Sequence, residues 1–315
     1  MSLAPTYDKN ARRRARASKG PARRSLGFFM ALPPILLILL FIGFPIVLAF
    51  AFSIGFTGGM NRTIALIGLN VNEADQWWGT LGAYQDVLSN PRILGDLAVT
   101  VVVTVLSTAI VIFMALGIGL FLKLRDGRLA RLLSGLAIIP LFIPVVIASW
   151  AIVTFYAGDG FLRSVFAQVG LEAPIWSFTM VAVVIGSVWT SLPFAVLMVV
   201  SGLQAIPNAM IEAARDAGAG FLRIVVSILI PMAFVPILIA ITFTGIGIVG
   251  SFTVPYFAGP NAPNMLGVDM FNYFSAFNQP QQSVVMAFIV FLIASGIAAM
   301  YVWANFRTAQ NQGEV

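Results

Sequence analysis

The chain has 315 residues, 59% of them hydrophobic and only 10% charged, with 18 Lys and Arg against 12 Asp and Glu. At a mean hydropathy of +0.95 it lies well outside the soluble range and reads as an integral membrane protein. It contains neither cysteine nor histidine, which excludes disulfides, Cys/His metal sites and catalysis by either side chain, so no metal site and no catalytic residue is expected.

Residues 1–27 form a basic tail carrying Lys9, Arg12, Arg13, Arg14, Arg16, Lys19, Arg23 and Arg24. The net charge of +6 could suggest a nucleic-acid partner, but this concentration ahead of an apolar run reads more simply as a topology signal, so no nucleic acid is expected. Contact with anionic lipid or a regulatory protein is the functional alternative for the tail. Six apolar runs follow, at 28–54, 97–122, 132–157, 176–202, 225–250 and 284–303. Each reaches the length of about 20 residues that a membrane helix needs, and none contains Asp, Glu, Lys or Arg. The first is too long for a signal-peptide core and lacks a small-residue cleavage site, so it is expected to be retained. Pro33, Pro34, Pro45, Pro140, Pro144, Pro193, Pro231 and Pro236 fall in or at the ends of these runs, where neighbouring helices can satisfy the carbonyls they free. The expected fold class is all-α, a polytopic membrane protein with six transmembrane helices over residues 28–306 and a short tail at 307–315.

Lys and Arg set the orientation. The N-terminal tail, Lys123, Arg125, Arg128 and Arg131 after the second run, Arg215 and Arg223 after the fourth, and Arg307 at the end place fifteen of the 18 on one side. Only Arg62, Arg92 and Arg163 fall on the other. Both termini are therefore expected to be cytoplasmic, with 55–96 and 251–283 facing outward. The connection between the fourth and fifth runs is cytoplasmic on the same count. It reads EAARDAGAGFLRIVVSILIP over 212–231.

Pro207 suits the first turn of a helix and Gly218 the position just past its end, which delimits a helix of about 11 residues. Ile206, Met210, Ala213, Ala214 and Ala217 can share one face, with Glu212, Arg215 and Asp216 on the rest. A helix lying on lipid would favour Lys above bulky apolar residues. This one has no Lys and few bulky side chains. Small Ala side chains allow close approach of a protein, and Glu212 and Asp216 could pair with its basic residues. A docking helix is the better expectation.

Glu212-Ala213-Ala214, Gly218, Ile228 and Pro231 match the spacing E-A-A-x3-G-x9-I-x-L-P, with Ile230 in place of the Leu. The chain thereby resembles the permease subunits of binding-protein-dependent ABC importers. The likeness extends to Val188-Trp189-Thr190-Ser191-Leu192-Pro193-Phe194 and to Gly202-Leu203-Gln204-Ala205-Ile206-Pro207. Leu32-Pro33-Pro34 and Phe44-Pro45 look like carbohydrate-type permeases. Gly250-Ser251-Phe252-Thr253-Val254-Pro255, Gly259, Leu266-Gly267 and Ala214-Arg215-Asp216 look more like the polyamine branch, and substrate class stays open between the two. The resemblance implies that the loop is a coupling helix docking on a cytoplasmic ATP-binding subunit, through Glu212, Ala213, Ala214 and Gly218. It also implies a second, usually homologous permease subunit, an extracytoplasmic solute-binding protein on 55–96 and 251–283, and residence in the bacterial cytoplasmic membrane among its lipids. ATP would be used by the partner subunit, with no cofactor bound by this chain.

The energy source can be approached from the residues as well. The three lysines, Lys9, Lys19 and Lys123, stand in no phosphate-binding loop, so the chain cannot hydrolyse ATP alone. A secondary transporter is the main alternative, and such carriers place ionisable groups near the midplane. The six runs offer none, although a sodium site of hydroxyls and carbonyls stays open. A channel would need a repeated filter segment, and an intramembrane enzyme would need an acid or base. Neither stands out. Trp189, Thr190, Ser191, Thr242, Thr244 and Ser251 are candidate pathway residues; the competing role for each Ser and Thr is a bond to its own helix. Gly117, Gly119, Gly245 and Gly247 are expected to mark close helix contacts.

Overall fold

Prolines, more than the apolar runs, decide how the helices are cut. The computed structural model describes residues 21–125 and 127–311, and every regular element among them is helical. The tail charges from Lys9 to Lys19 lie outside the described residues. Helix α1 (Pro21–Ile38), a π-helical turn at Leu39–Gly43 and α2 (Phe44–Ser53) run on as one membrane-length helix. Pro45 has no N–H to donate and its ring crowds the carbonyl of Phe41, so the widened turn before it relieves the clash. The same device recurs at Val225–Leu229, ahead of Pro231.

The connection after α2 carries α3 (Arg62–Ile67) and α4 (Gly82–Ser89). Asn90 then caps α5 (Pro91–Leu124), its side chain accepting from the Arg92 N–H at 3.0 Å with Pro91 in the first turn. The cap starts the helix well before residue 97 and draws Arg92 and Asp96 into it. The third run is α6 (Arg128–Ile138), a 3-10 turn at Ile139–Phe142 and α7 (Val145–Phe155), the pair bent by 108° between Pro140 and Pro144. Helix α8 (Phe161–Gln168) precedes α9 (Met180–Gln204), which passes through Pro193 unbroken. After α10 (Asn208–Asp216), the fifth run is α11 (Phe221–Ile224), a π-turn at Val225–Leu229, α12 (Ile230–Met232) and α13 (Phe234–Val249), bent by 71° at Ala233 between Pro231 and Pro236. Helices α14 (Thr253–Ala258), α15 (Leu266–Ser275) and α16 (Pro280–Asn311) complete the chain. Among the described residues, four segments are therefore unbroken and long enough to cross a membrane, and the count reaches six when each bent pair crosses once.

Helices α5, α9 and α13 make the centre. Val111, Ala115, Ala195, Val199, Leu203, Leu229 and Ala240 form the larger buried cluster, and Val103, Val183 and Ile248 a second one farther from α10. In lipid, where apolar burial gains little, helices associate through close packing of small residues. A Cβ at Gly202 would stand 2.6 Å from Pro236, and one at Gly119 3.0 Å from Leu203 and 3.1 Å from Val199. A Cβ at Gly245 would meet Ile297 of α16 at an ordinary contact distance of 3.5 Å. Gly117 and Gly247 face open space, because only one residue of each pair points along the packed seam.

The two regions expected to face outward are knitted together at the end opposite α10. Leu69 N–H donates to Asn278 O at 2.6 Å, and Gln282 Nε2 to Asn70 O at 3.3 Å. Buried Gln281 accepts from Asn72 N–H (2.6 Å) and donates to the carbonyls of Phe52 (3.1 Å) and Asn72 (3.0 Å). Leu266 N–H donates to Thr100 Oγ1 at 2.9 Å, fastening α15 to α5.

Candidate functional site

Helix α10 is defined by its two ends. Pro207, with φ −61° and ψ 133°, is the N-cap rather than a first-turn residue, so the helix runs for 9 residues instead of the longer span expected. Gly218 has φ +79°, a left-handed conformation that favours glycine. Its N–H donates to Arg215 O at 2.8 Å and the Ala219 N–H to Ala214 O at 2.9 Å. These two bonds are the Schellman stop, and they satisfy carbonyls the helix end would leave bare.

The face turned inward differs from the one expected. Ile211, 5% exposed, is its anchor, with Ala214 half-buried beside it and Ile206 buried just ahead of the helix. Met210 is 42% exposed, and Ala213 and Ala217 are exposed as well. A single bulky β-branched side chain outweighs several alanines in deciding which way a short helix rolls. Glu212, Ala213, Arg215, Asp216 and Gly218 face away from the chain. Ala214 serves the chain's own core.

The pathway candidates separate into groups. Ser191 and Thr244 meet across α9 and α13, where with Phe194 and Phe243 they line a hollow of about 280 Å³. The two phenyl rings lie 5.8 Å apart. Thr244 is buried with no hydrogen-bond partner for its hydroxyl, and Trp189 is partly exposed. Thr190 donates to Gly186 O at 3.0 Å and Thr242 to Leu238 O at 2.8 Å, each within its own helix. Ser251 lies against the start of α15, its carbonyl abutting Gly267.

Sequence reasoning missed a pair of buried carboxylates. Asp96 of α5 and Asp269 of α15 are both 1% exposed. They escaped notice because Asp96 precedes the apolar run of α5 and Asp269 lies in what read as an exposed loop. Asp96 Oδ1 accepts the Asn264 N–H at 2.7 Å. Arg92 stands beside both, with Nε 3.9 Å from Asp96 Oδ2 and Nη2 3.8 Å from Asp269 Oδ1. Burial above all, then the Asp96 carboxyl beside it, pushes the Asp269 carboxyl from 3.8 up to about 7, against the pull of Arg92. Burial and the nearby Asp269 raise the Tyr273 hydroxyl as well. Among the described residues no group of three or more Asp and Glu could hold a metal ion.

Residues 115–308 match the family model described as the binding-protein-dependent transport system inner membrane component. Over 261 residues the chain is 27% identical to the trehalose/maltose transport system permease protein MalF of Thermococcus litoralis, covering 79% of this chain and 83% of that one. It is 30% identical over 148 residues to the spermidine/putrescine transport system permease protein PotB of Escherichia coli, covering 46% and 54%. In fold it is similar to a chain in the crystal structure of a bacterial ABC transporter involved in the import of the acidic polysaccharide alginate. There the TM-score is 0.73 at 16% identity, over 93% of this chain and 99% of that one.

Proposed function

The chain belongs to the family of binding-protein-dependent transport system inner membrane components, the permease subunits of ABC importers, and from that premise we propose how it is driven and what it carries. Helix α10 is the coupling element, docking on a separate ATP-hydrolysing subunit through Glu212, Ala213, Asp216 and the Gly218 turn, with ATP bound there and not by this chain. One observation carries this: α10 is riveted to the core through Ile211 and Ala214 while its acidic face is left open. A helix held on one side and offered on the other transmits a push. The distribution of Lys and Arg favours a cytoplasmic α10 and cytoplasmic termini in the bacterial inner membrane. A solute-binding protein then docks on the cap built from 55–96 and 251–283, and a second permease subunit completes the pathway.

The solute is carbohydrate-type. The likeness to a sugar permease runs along most of the chain, and the hollow at Ser191, Phe194, Phe243 and Thr244 has an uncharged, partly aromatic lining, which suits a neutral solute. A polyamine is the second reading, favoured by the identity to PotB over a shorter stretch. A polycation would need counter-charges along its path, and the apolar runs carry none.

Two measurements test this. Glu212→Lys should abolish uptake while ATP hydrolysis continues and the protein stays in the membrane; normal uptake at matched expression would overturn the role of α10. The cognate binding protein should bind an oligosaccharide or sugar derivative and not spermidine, and the reverse result would reassign the solute.

A further inference from the structure

Lys123 stands in the last turn of α5 and its Nζ donates to the carbonyl of Ile206 at 2.6 Å. That carbonyl belongs to the elbow between α9 and α10. Pro207, next in the chain, has no N–H, and the Met210 N–H bonds to Pro207 O at 3.2 Å, so the Ile206 carbonyl is turned toward the ammonium. The contact closes a seam. Ala115, Gly119 and Lys123 recur every fourth residue on one face of α5, and Gly119 lets that face close on Val199 and Leu203 of α9. Lys123 reaches past Leu203 to the first turn beyond it. Its charge also faces the C-terminal end of α9, where the helix dipole favours a cation. A lysine that merely snorkelled to the interface would keep its ammonium in water. This one is half-buried and bonded to the backbone.

We infer that Lys123 is a positioning residue that fastens the elbow ahead of α10 to α5, so that a displacement of α10 moves α5 and α9 together. The inference rests on α10 being the coupling element. Without the bond, a push on α10 would be taken up by hinging at Pro207, and α5 would lag behind α9. Motion that enters at one loop would then reach only part of the membrane core.

The test uses the whole assembly in membranes: this chain, its ATPase, the second permease and the binding protein. Lys123→Met should lower solute imported per ATP hydrolysed by roughly tenfold, the scale of losing a hydrogen bond from a charged donor. Lys123→Arg should recover most of that ratio. Lys123→Gln, long and polar but uncharged, should recover only part, and it replaces the Met variant if that one fails to assemble. An unchanged ratio in these variants, alongside uncoupling by Glu212→Lys, overturns the role of Lys123 and leaves α10 as the coupling element. An unchanged ratio in Glu212→Lys as well overturns the coupling role of α10 itself. A loss in Lys123→Met that Lys123→Arg does not relieve at all assigns the effect to packing and also overturns the inference.

Discussion

Asp96 of α5 and Asp269 of α15 meet beside a single guanidinium, that of Arg92. The side chain of Arg92 is 47% exposed, whereas both carboxylates are buried. Oδ2 of each has no hydrogen-bond partner. Two like charges out of water with one half-solvated counter-charge are costly. A proton on Asp269 removes one charge and supplies a donor to Asp96.

That proton makes the α15 joint pH-dependent. Asp269 titrates near 7 in the folded chain and near 3.8 when unfolded, so the folded state holds a proton that the unfolded state releases. Its contribution to stability is full below about pH 4 and is lost as pH rises through about 7. The groups facing it are Arg92 and Asp96 of α5 and Tyr273 of α15 itself. The chain has no histidine to confuse the window. Amide exchange over 264–275 should therefore quicken from pH 5 to pH 8, after correction for intrinsic exchange, and Asp269→Asn should hold it slow throughout. Equal protection of the wild-type segment at both pH values would count against a shared proton.

Gly218 separates a turn requirement from a docking requirement. Its φ of +79° strains an ordinary L side chain, yet nothing lies within 4 Å of a Cβ placed there. Gly218→Val should break the turn, costing about 1–2 kcal/mol and uncoupling uptake from ATP hydrolysis. Asn tolerates the left-handed region, so Gly218→Asn should keep the fold. If uptake by the Asn variant is nonetheless lost, the bare glycine surface is itself a contact for the ATPase.

Gly202 is a packing position. A methyl there would meet Pro236 Cβ and Cγ at 2.6 Å, and neither α9 nor the proline ring can yield cheaply. Gly202→Val should destabilise the chain by about 1–3 kcal/mol, read as a lower melting temperature in detergent. Gly117→Ala, in open space, is the control and should not lower the melting temperature, since Ala favours a helix interior over Gly.

The hydroxyls of α9 and α13 should divide by function. Thr190→Val and Thr242→Val remove bonds confined to single helices and should leave the KM for uptake within about twofold, since such bonds contribute little net. Ser191→Leu fills the hollow against Phe194 and Phe243 and should raise KM or abolish uptake at normal ATPase levels. Equal kinetics for all three variants would show that this hollow is not on the path.

The membrane class, the positions of the apolar runs, the capped helix between Pro207 and Gly218 and the family motif were legible in the residues alone. Each depends on local chemistry, namely hydrophobicity over a window, proline's missing donor and glycine's freedom at positive φ. Tertiary structure alone decided which side of α10 faces inward, because Ile211 finds its place only against helices distant in sequence. The same holds for the bends in the third and fifth runs, for Gly119 and Gly245 packing while Gly117 and Gly247 do not, and for the burial of Asp96 and Asp269. A carboxylate outside an apolar run looks solvated until another element covers it. Composition names the solvent each segment prefers, and only packing decides which neighbour replaces that solvent.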